Sequence, residues 1–287
     1  MTAALSRIEI ASMILDRLDD ATVAAASAAF HASKGCQWFS IESLLPAEVA
    51  HAIYAAFPEP STMRERKSLR EHKYVAAQMN RYNPQGEEAL FAFHDPRVVE
   101  QVARITSMSQ LQADPQLYAG GLSLMGRNNF LNPHVDNSHN NDRSVYRVLN
   151  LLYYTSPDWK EANGGNLELW PEGVKGEPIT LESRFNRLVV MTTGPESWHS
   201  VSRVAVDSPR CCVSNYYFSP EPVGGKPYFR VTTFRGRPEQ PLRDLVLRAD
   251  AALRQGIRKI KPDGIVKTTH VYKRDADQAG DHPGPKA

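Results

Sequence analysis

From about residue 117 onward the chain breaks into short apolar, β-branched and aromatic runs, separated by Gly, Pro, Asn and Asp. The runs are 117–125, 145–154, 166–170, 187–193, 200–206, 211–218 and 228–234. Each is strand-sized, and several alternate polar with apolar residues, the mark of a β-strand with two unlike faces. Seven or eight such strands at short intervals restrict the fold to a sandwich, jelly roll or barrel. The flanks read differently. Stretches 10–18, 21–32, 44–57 and 95–106 have helical composition or period, with Val98, Val99, Val102 and Ile105 on one face of the last. The charge-dense stretch 65–73 reads as a solvated face or loop. After Pro241, one helical face carries Leu242, Leu245, Val246, Ala249, Leu253, Ile257 and Ile260. Arg243, Arg254, Arg258 and Lys259 fall opposite, which predicts a helix with its apolar face on the core and its basic face in water. The expected layout is one structural domain. It has an N-terminal helical portion (1–110), a β core (111–238), a C-terminal helical extension (239–274) and a polar tail (275–287) without fixed structure.

Composition excludes several partners. The 34 Lys and Arg against 32 Asp and Glu leave a net charge of +2, so no nucleic-acid partner is expected. No apolar run approaches the ~18 residues that span a bilayer, and Met1 to Glu9 shows no secretory signal pattern. Three cysteines, Cys36, Cys211 and Cys212, make no disulfide framework, which fits a cytoplasmic location.

The stretch Asn132-Pro133-His134-Val135-Asp136-Asn137 carries the chemistry. On extended backbone, residues two apart share a face, so the imidazole of His134 and the carboxylate of Asp136 converge. One more histidine would complete a 2-His-1-carboxylate triad, which binds Fe(II) and leaves open positions. His199, 63 residues beyond Asp136 and just before a strand, is the candidate. His139, in a polar loop, is its rival. The open positions need a ligand able to reduce O2 by two further electrons. 2-Oxoglutarate does this, and its far carboxylate needs a cation such as the planar fork of arginine. Arg210, at the start of an apolar strand and 11 residues after His199, is the candidate, with Ser214 on the same face and Arg203 as the rival.

Residues 118–218 resemble the Fe(II)/2-oxoglutarate-dependent oxygenases of the prolyl-4-hydroxylase type, which include the hypoxia-factor prolyl hydroxylases and bacterial relatives. The likeness rests on an ordered series: His134-Val135-Asp136-Asn137, the strand from Arg147 to Tyr154, Asp158-Trp159, Gly164-Gly165-Asn166-Leu167, Pro171-Glu172-Gly173, Phe185-Asn186-Arg187-Leu188, His199-Ser200-Val201, and Arg210 with Tyr216-Tyr217-Phe218. The resemblance implies a mainly β fold with flanking helices around a double-stranded β-helix core, a cupin-like jelly roll. It implies Fe(2+) on His134, Asp136 and His199, and 2-oxoglutarate on Arg210, Tyr154 and Ser214. It further implies O2 as oxidant and ascorbate as reductant. The family's usual co-substrate tyrosine on the preceding strand is replaced here by Leu124 or Met125. The loop between Asp136 and Arg147 is longer than usual. Asp136 argues against a halogenase, which lacks that carboxylate.

The implied activity is hydroxylation of an unactivated C–H of an amino-acid-like substrate, a peptidyl proline or a small biosynthetic metabolite, with release of succinate and CO2. The alternatives are a nucleic-acid demethylase and a non-catalytic jelly roll that binds metal or ligand as a sensor. Arg127, Asn129, Asn137 and Trp198 border the iron residues in sequence and are candidate substrate contacts. Gly164-Gly165 reads as a tight turn rather than a phosphate loop, Trp159 and Trp170 as core residues, and Cys211-Cys212 as buried thiols.

Overall fold

The computed structural model describes residues 4–260 and Tyr272. In chain order its elements are α1 (Arg7–Arg17), α2 (Asp20–Ala32), β1 (Trp38–Ile41), α3 (Ala47–Ala55), β2 (Arg64–Lys67), β3 (Glu71–Ala76), α4 (Pro84–Ala92), α5 (Pro96–Thr106), β4 (Gln112–Ala113), β5 (Gly121–Met125), β6 (Phe130–Val135), β7 (Tyr146–Tyr154), β8 (Leu167–Leu169), β9 (Ile179–Leu181), β10 (Arg187–Thr192), β11 (His199–Val201), β12 (Arg210–Ser219), β13 (Thr233–Phe234) and α6 (Pro241–Ile260). The tail expected at 275–287 lies outside the described residues. Among the described residues, no helix is long and apolar enough to cross a membrane.

The strands form one antiparallel sheet in the order β1-β10-β7-β12-β5-β3-β6-β11-β8-β9, with β2 on β3, β4 on β12 and β13 on β6. It curls into the double-stranded β-helix that the sequence implied. Strand alternation explains why the sheet is covered on both sides. On β12, Cys211, Val213 and Tyr217 join Leu149, Leu151, Tyr153, Leu188 and Val190 in the main core, which also takes in the N-terminal helices. Arg210, Cys212, Ser214 and Tyr216, on the other face, line the interior cavity.

The helices start where local chemistry lets them. Ser6 and Glu9 form a reciprocal capping box on α1, while Asp95 caps α5 with Pro96 in its first turn. Ile10 and Ile14 of α1, and Val98, Val102 and Ile105 of α5, are buried in the main core.

Two expectations are corrected. Part of the stretch 65–73 is strand, not loop: β2 and β3 form a hairpin, and β3 pairs with β5 and β6. Charge did not keep it out of the sheet, because Glu71 and Lys73 face the polar cavity and neutralise each other at 3.1 Å. Helix α6 forms as expected but is turned over, against the second expectation. Leu242, Leu245 and Leu253 are 81%, 65% and 65% exposed, whereas Leu247 is 2% exposed and Ala251 is buried. The inward face carries Arg254, which is held by Asp250 and by the carbonyl of Thr232. Ion pairs at the cavity mouth, with Arg70 and Asp250 among them, oriented the helix in place of its apolar stripe. The side chains of Arg258, Lys259 and Ile260 lie outside the described residues.

Candidate active site

The β6–β11 pairing builds the centre of the site. His134 on β6 lies directly across from His199 on β11, and their rings are 4.1 Å apart. His134 Nε2 is 3.7 Å from Asp136 Oδ1, and His199 Nε2 is 3.9 Å from Asp136 Oδ2. The three ligand atoms lie within 4.8 Å of one another, and this is the only such group among the described residues. His139 stays outside it, against Tyr146.

The surroundings fix which imidazole nitrogens are free. Nδ1 of His134 pairs with the carbonyl of Asn132 at 3.0 Å, and Nδ1 of His199 with that of Ser197 at 3.0 Å. Each Nδ1 therefore holds the proton, and each Nε2 presents its lone pair to the common point. Phe234 stacks on His134 at 4.9 Å. Burial, with His199 alongside, drives the pKa of His134 down to about 3, and burial also lowers that of His199. Burial alone would raise the Asp136 pKa, but its charged surroundings, Arg147 foremost, outweigh it and hold the carboxyl below its ordinary range. Two neutral imidazoles beside an ionised carboxylate form a donor set for a divalent cation. Asp136 Oδ2 is buried without a hydrogen-bond partner, as expected of an atom whose partner is a metal.

Sequence reasoning missed Arg147 as a site residue. It is buried, and its Nη1 is 3.6 Å from Asp136 Oδ1. Its guanidinium lies 4.4 Å from the Tyr216 ring centre. Strict alternation puts Arg147 on the core face with Leu149 and Leu151. A register shift between β7 and β12, where Phe218 pairs with Arg147 while Tyr217 pairs with Leu149, turns it to the cavity face instead. A charge at the mouth of so apolar a strand was the available signal.

Arg210 opens β12 opposite Met125 of β5. Its Nε donates to the Gly165 carbonyl at 3.0 Å and to Ser183 Oγ at 3.2 Å. The Tyr154 ring lies 4.7 Å from its guanidinium carbon. Gly165 is required here: its φ is +65°, and a Cβ would sit 3.2 Å from Arg210 Cγ. The neighbouring Gly164 turns as expected, its carbonyl taking the indole N–H of Trp159. Tyr154 Oη is buried without a partner, and Ser214 faces the cavity. A buried arginine with no carboxylate among its hydrogen-bond partners, beside a phenol without a partner, both among the described residues, suits the far carboxylate of 2-oxoglutarate. Arg203 is instead exposed and bonds the Asn128 carbonyl.

His134, Asp136, His199, Arg210 and Ser214 line one cavity of about 370 Å³. Of the candidate substrate contacts, only Asn137 is on its wall. Arg127 is exposed and paired with Asp207, and buried Asn129 accepts from the Gly126 N–H to close a turn. Trp198 lines a neighbouring cleft with Phe229 and Arg248. Arg66, Arg70, Lys73 and Arg254, which sequence reasoning left in solvent or loop, stand at the cavity instead.

Residues 120–218 match the family model of the 2OG-Fe(II) oxygenase superfamily. No curated protein matches the sequence. Among solved structures, a prolyl-4-hydroxylase from Pseudomonas putida has a TM-score of 0.53 at 15% identity, over 68% of this chain and 98% of its own. A prolyl 4-hydroxylase from Phytophthora capsici gives 0.53 at 15%, over 91% and 83%. SnoK, an alpha-ketoglutarate-dependent carbocyclase of nogalamycin biosynthesis, gives 0.52 at 13%, over 75% and 87%. At such identities the likeness is one of fold. The matched segment, which contains the triad, is similar to the core of the 2OG-Fe(II) oxygenase superfamily, and its three buried side chains could hold a metal ion.

Proposed function

We propose that this protein is an iron- and 2-oxoglutarate-dependent dioxygenase that hydroxylates an unactivated C–H of an amino-acid-like substrate, a peptidyl proline or a small biosynthetic metabolite. The carrying observation is the convergence of His134, Asp136 and His199 in the same cavity as Arg210. Resemblance to the structures of a prolyl-4-hydroxylase and a carbocyclase supports both substrate kinds. His134 Nε2, His199 Nε2 and the Asp136 carboxylate hold the iron. Arg210, Tyr154 and Ser214 hold the far carboxylate of 2-oxoglutarate. When bound, these groups supply the oxidation, converting 2-oxoglutarate and O2 to succinate, CO2 and one hydroxyl on the substrate. The chain's own residues fix the ligands in place. Arg147 keeps Asp136 ionised and oriented, Gly165 and Ser183 hold Arg210, and Tyr216 screens the Arg147–Asp136 pair. Ascorbate is the reductant and the cytoplasm the site of action in this reading.

The test supplies Fe(II), 2-oxoglutarate, ascorbate and O2 and screens prolyl peptides and amino-acid-like metabolites. A substrate should raise succinate formation and gain one oxygen atom per succinate. If every compound that raises succinate emerges without added oxygen, hydroxylation is the wrong reaction.

A further inference from the structure

We infer that the cavity mouth seats an oxyanion carried by the substrate, a carboxylate or phosphate group, on Arg70 and Arg254; this rests on the oxygenase reading of the same cavity. The cavity wall carries Arg66, Arg70, Lys73, Arg147, Arg210 and Arg254 against two carboxylates, Glu71 and Asp136. Some of that charge has an assignment. Arg147 faces Asp136, Lys73 and Arg66 face Glu71 at 3.1 and 3.9 Å, and Arg210 faces the co-substrate. The remaining two, Arg70 and Arg254, share one carboxylate. Arg70 Nη2 donates to Oδ1 of Asp250, and Arg254 Nε donates to Oδ2 at 3.0 Å. Two guanidiniums on one carboxylate leave a unit of positive charge where solvent is partly excluded. Burial, together with the charge of Arg70, lowers the pKa of Arg254. An anion docked between the two arginines removes that repulsion.

Their placement suits a substrate. The Arg70 carbonyl accepts from the N–H of Asn132, two residues before His134. Arg254 Nη1 donates to the carbonyl of Thr232 at 2.8 Å, and the adjacent Thr233 pairs with Val135. The arginines therefore flank β6, the strand that delivers His134 and leads into Asp136. A second observation agrees. Leu242, Leu245 and Leu253 are left in water while the charged face of α6 is turned to the mouth, the reverse of what burial of apolar surface favours.

The full chain, loaded with Mn(II) and saturating 2-oxoglutarate, is titrated calorimetrically with inorganic phosphate, acetate and acetamide at fixed ionic strength. Phosphate or acetate should bind and acetamide should not. Tighter phosphate points to a phosphorylated substrate and tighter acetate to a carboxylated one. Arg254→Gln and Arg70→Gln should each weaken the anion by about tenfold or more, as loss of a charge-assisted hydrogen bond requires, while Mn(II)-dependent 2-oxoglutarate binding persists. Anions that bind no better than acetamide, or bind equally to wild type and both variants, overturn the inference and leave the oxygenase reading intact. A wild type unable to bind 2-oxoglutarate with Mn(II) overturns both.

Discussion

At the residue scale, the proposed metal centre depends on a cation as well as on His134, Asp136 and His199. Arg147 Nη1, 3.6 Å from Asp136 Oδ1, offsets the cost of burying that carboxylate. Arg147→Gln should keep the fold, by circular dichroism, yet weaken Mn(II) binding by roughly 10–100-fold, the usual cost of losing a group that orients a ligand. Unchanged Mn(II) affinity would show that the histidines alone keep Asp136 in place. The triad was legible in the sequence because its geometry is that of one strand and one cross-strand pair. Arg147 was not, because its inward turn depends on a register shift that leaves no periodic trace. The thiols give a second prediction. Burial pushes Cys36, Cys211 and Cys212 up to about 12, 12 and 11. In the unfolded chain they ionise near ~8.5, so above that pH the native state binds more protons than the unfolded one. Stability should therefore fall as pH rises from about 8.5 to 10. A disulfide reagent at pH 8 should label none of the three in native protein and all three in denaturant; rapid native labelling would contradict their burial.

At the element scale, α6 and β3 are where charge overrode expectation. Leu247→Ala should cost about 2–5 kcal/mol as a core truncation. Leu245→Ser and Leu253→Ser should stay within about 0.5 kcal/mol, as surface changes do. Urea denaturation of the three variants decides the orientation of the helix, and the reverse ranking would return the apolar stripe to the core. The hydrophobic period announced that a helix exists but not which face is buried, because Asp250 lies between Arg70 and Arg254 and only the folded mouth brings them together. β3 hid for the same reason. Its inward residues, Glu71 and Lys73, are polar because the cavity they face is polar, so no apolar alternation marked it. α4 was also passed over, although Asn83 as its N-cap and Pro84 in its first turn are a legible start.

At the scale of the whole molecule, the sheet is completed by strands from outside the oxygenase core. β3 is hydrogen-bonded to both β5 and β6, and β1 closes the edge on β10. The 1–110 portion also supplies the helices of the main core. A chain reduced to 111–238 should therefore be insoluble or unfolded, and the full chain should unfold in one transition by both circular dichroism and tryptophan fluorescence. A soluble fragment with a native spectrum would show that the N-terminal portion is an accessory layer. The jelly-roll class was readable from the spacing of short strands, since turns and two-sided burial follow from local composition. The interleaving of β3 was not, because pairing partners distant in sequence are set by the assembled sheet.

In the proposed site His134, Asp136 and His199 hold iron while Arg210 holds 2-oxoglutarate beside it. The most direct measurement is the metal-to-ligand charge-transfer band of anaerobic Fe(II) protein as 2-oxoglutarate is added, recorded for wild type, Asp136→Ala and Arg210→Ala. Wild type should develop the band to one equivalent, Asp136→Ala should lose it, and Arg210→Ala should need far more 2-oxoglutarate to reach it. A wild-type protein that binds Fe(II) yet develops no band, or an Arg210→Ala variant that titrates like wild type, would contradict the account.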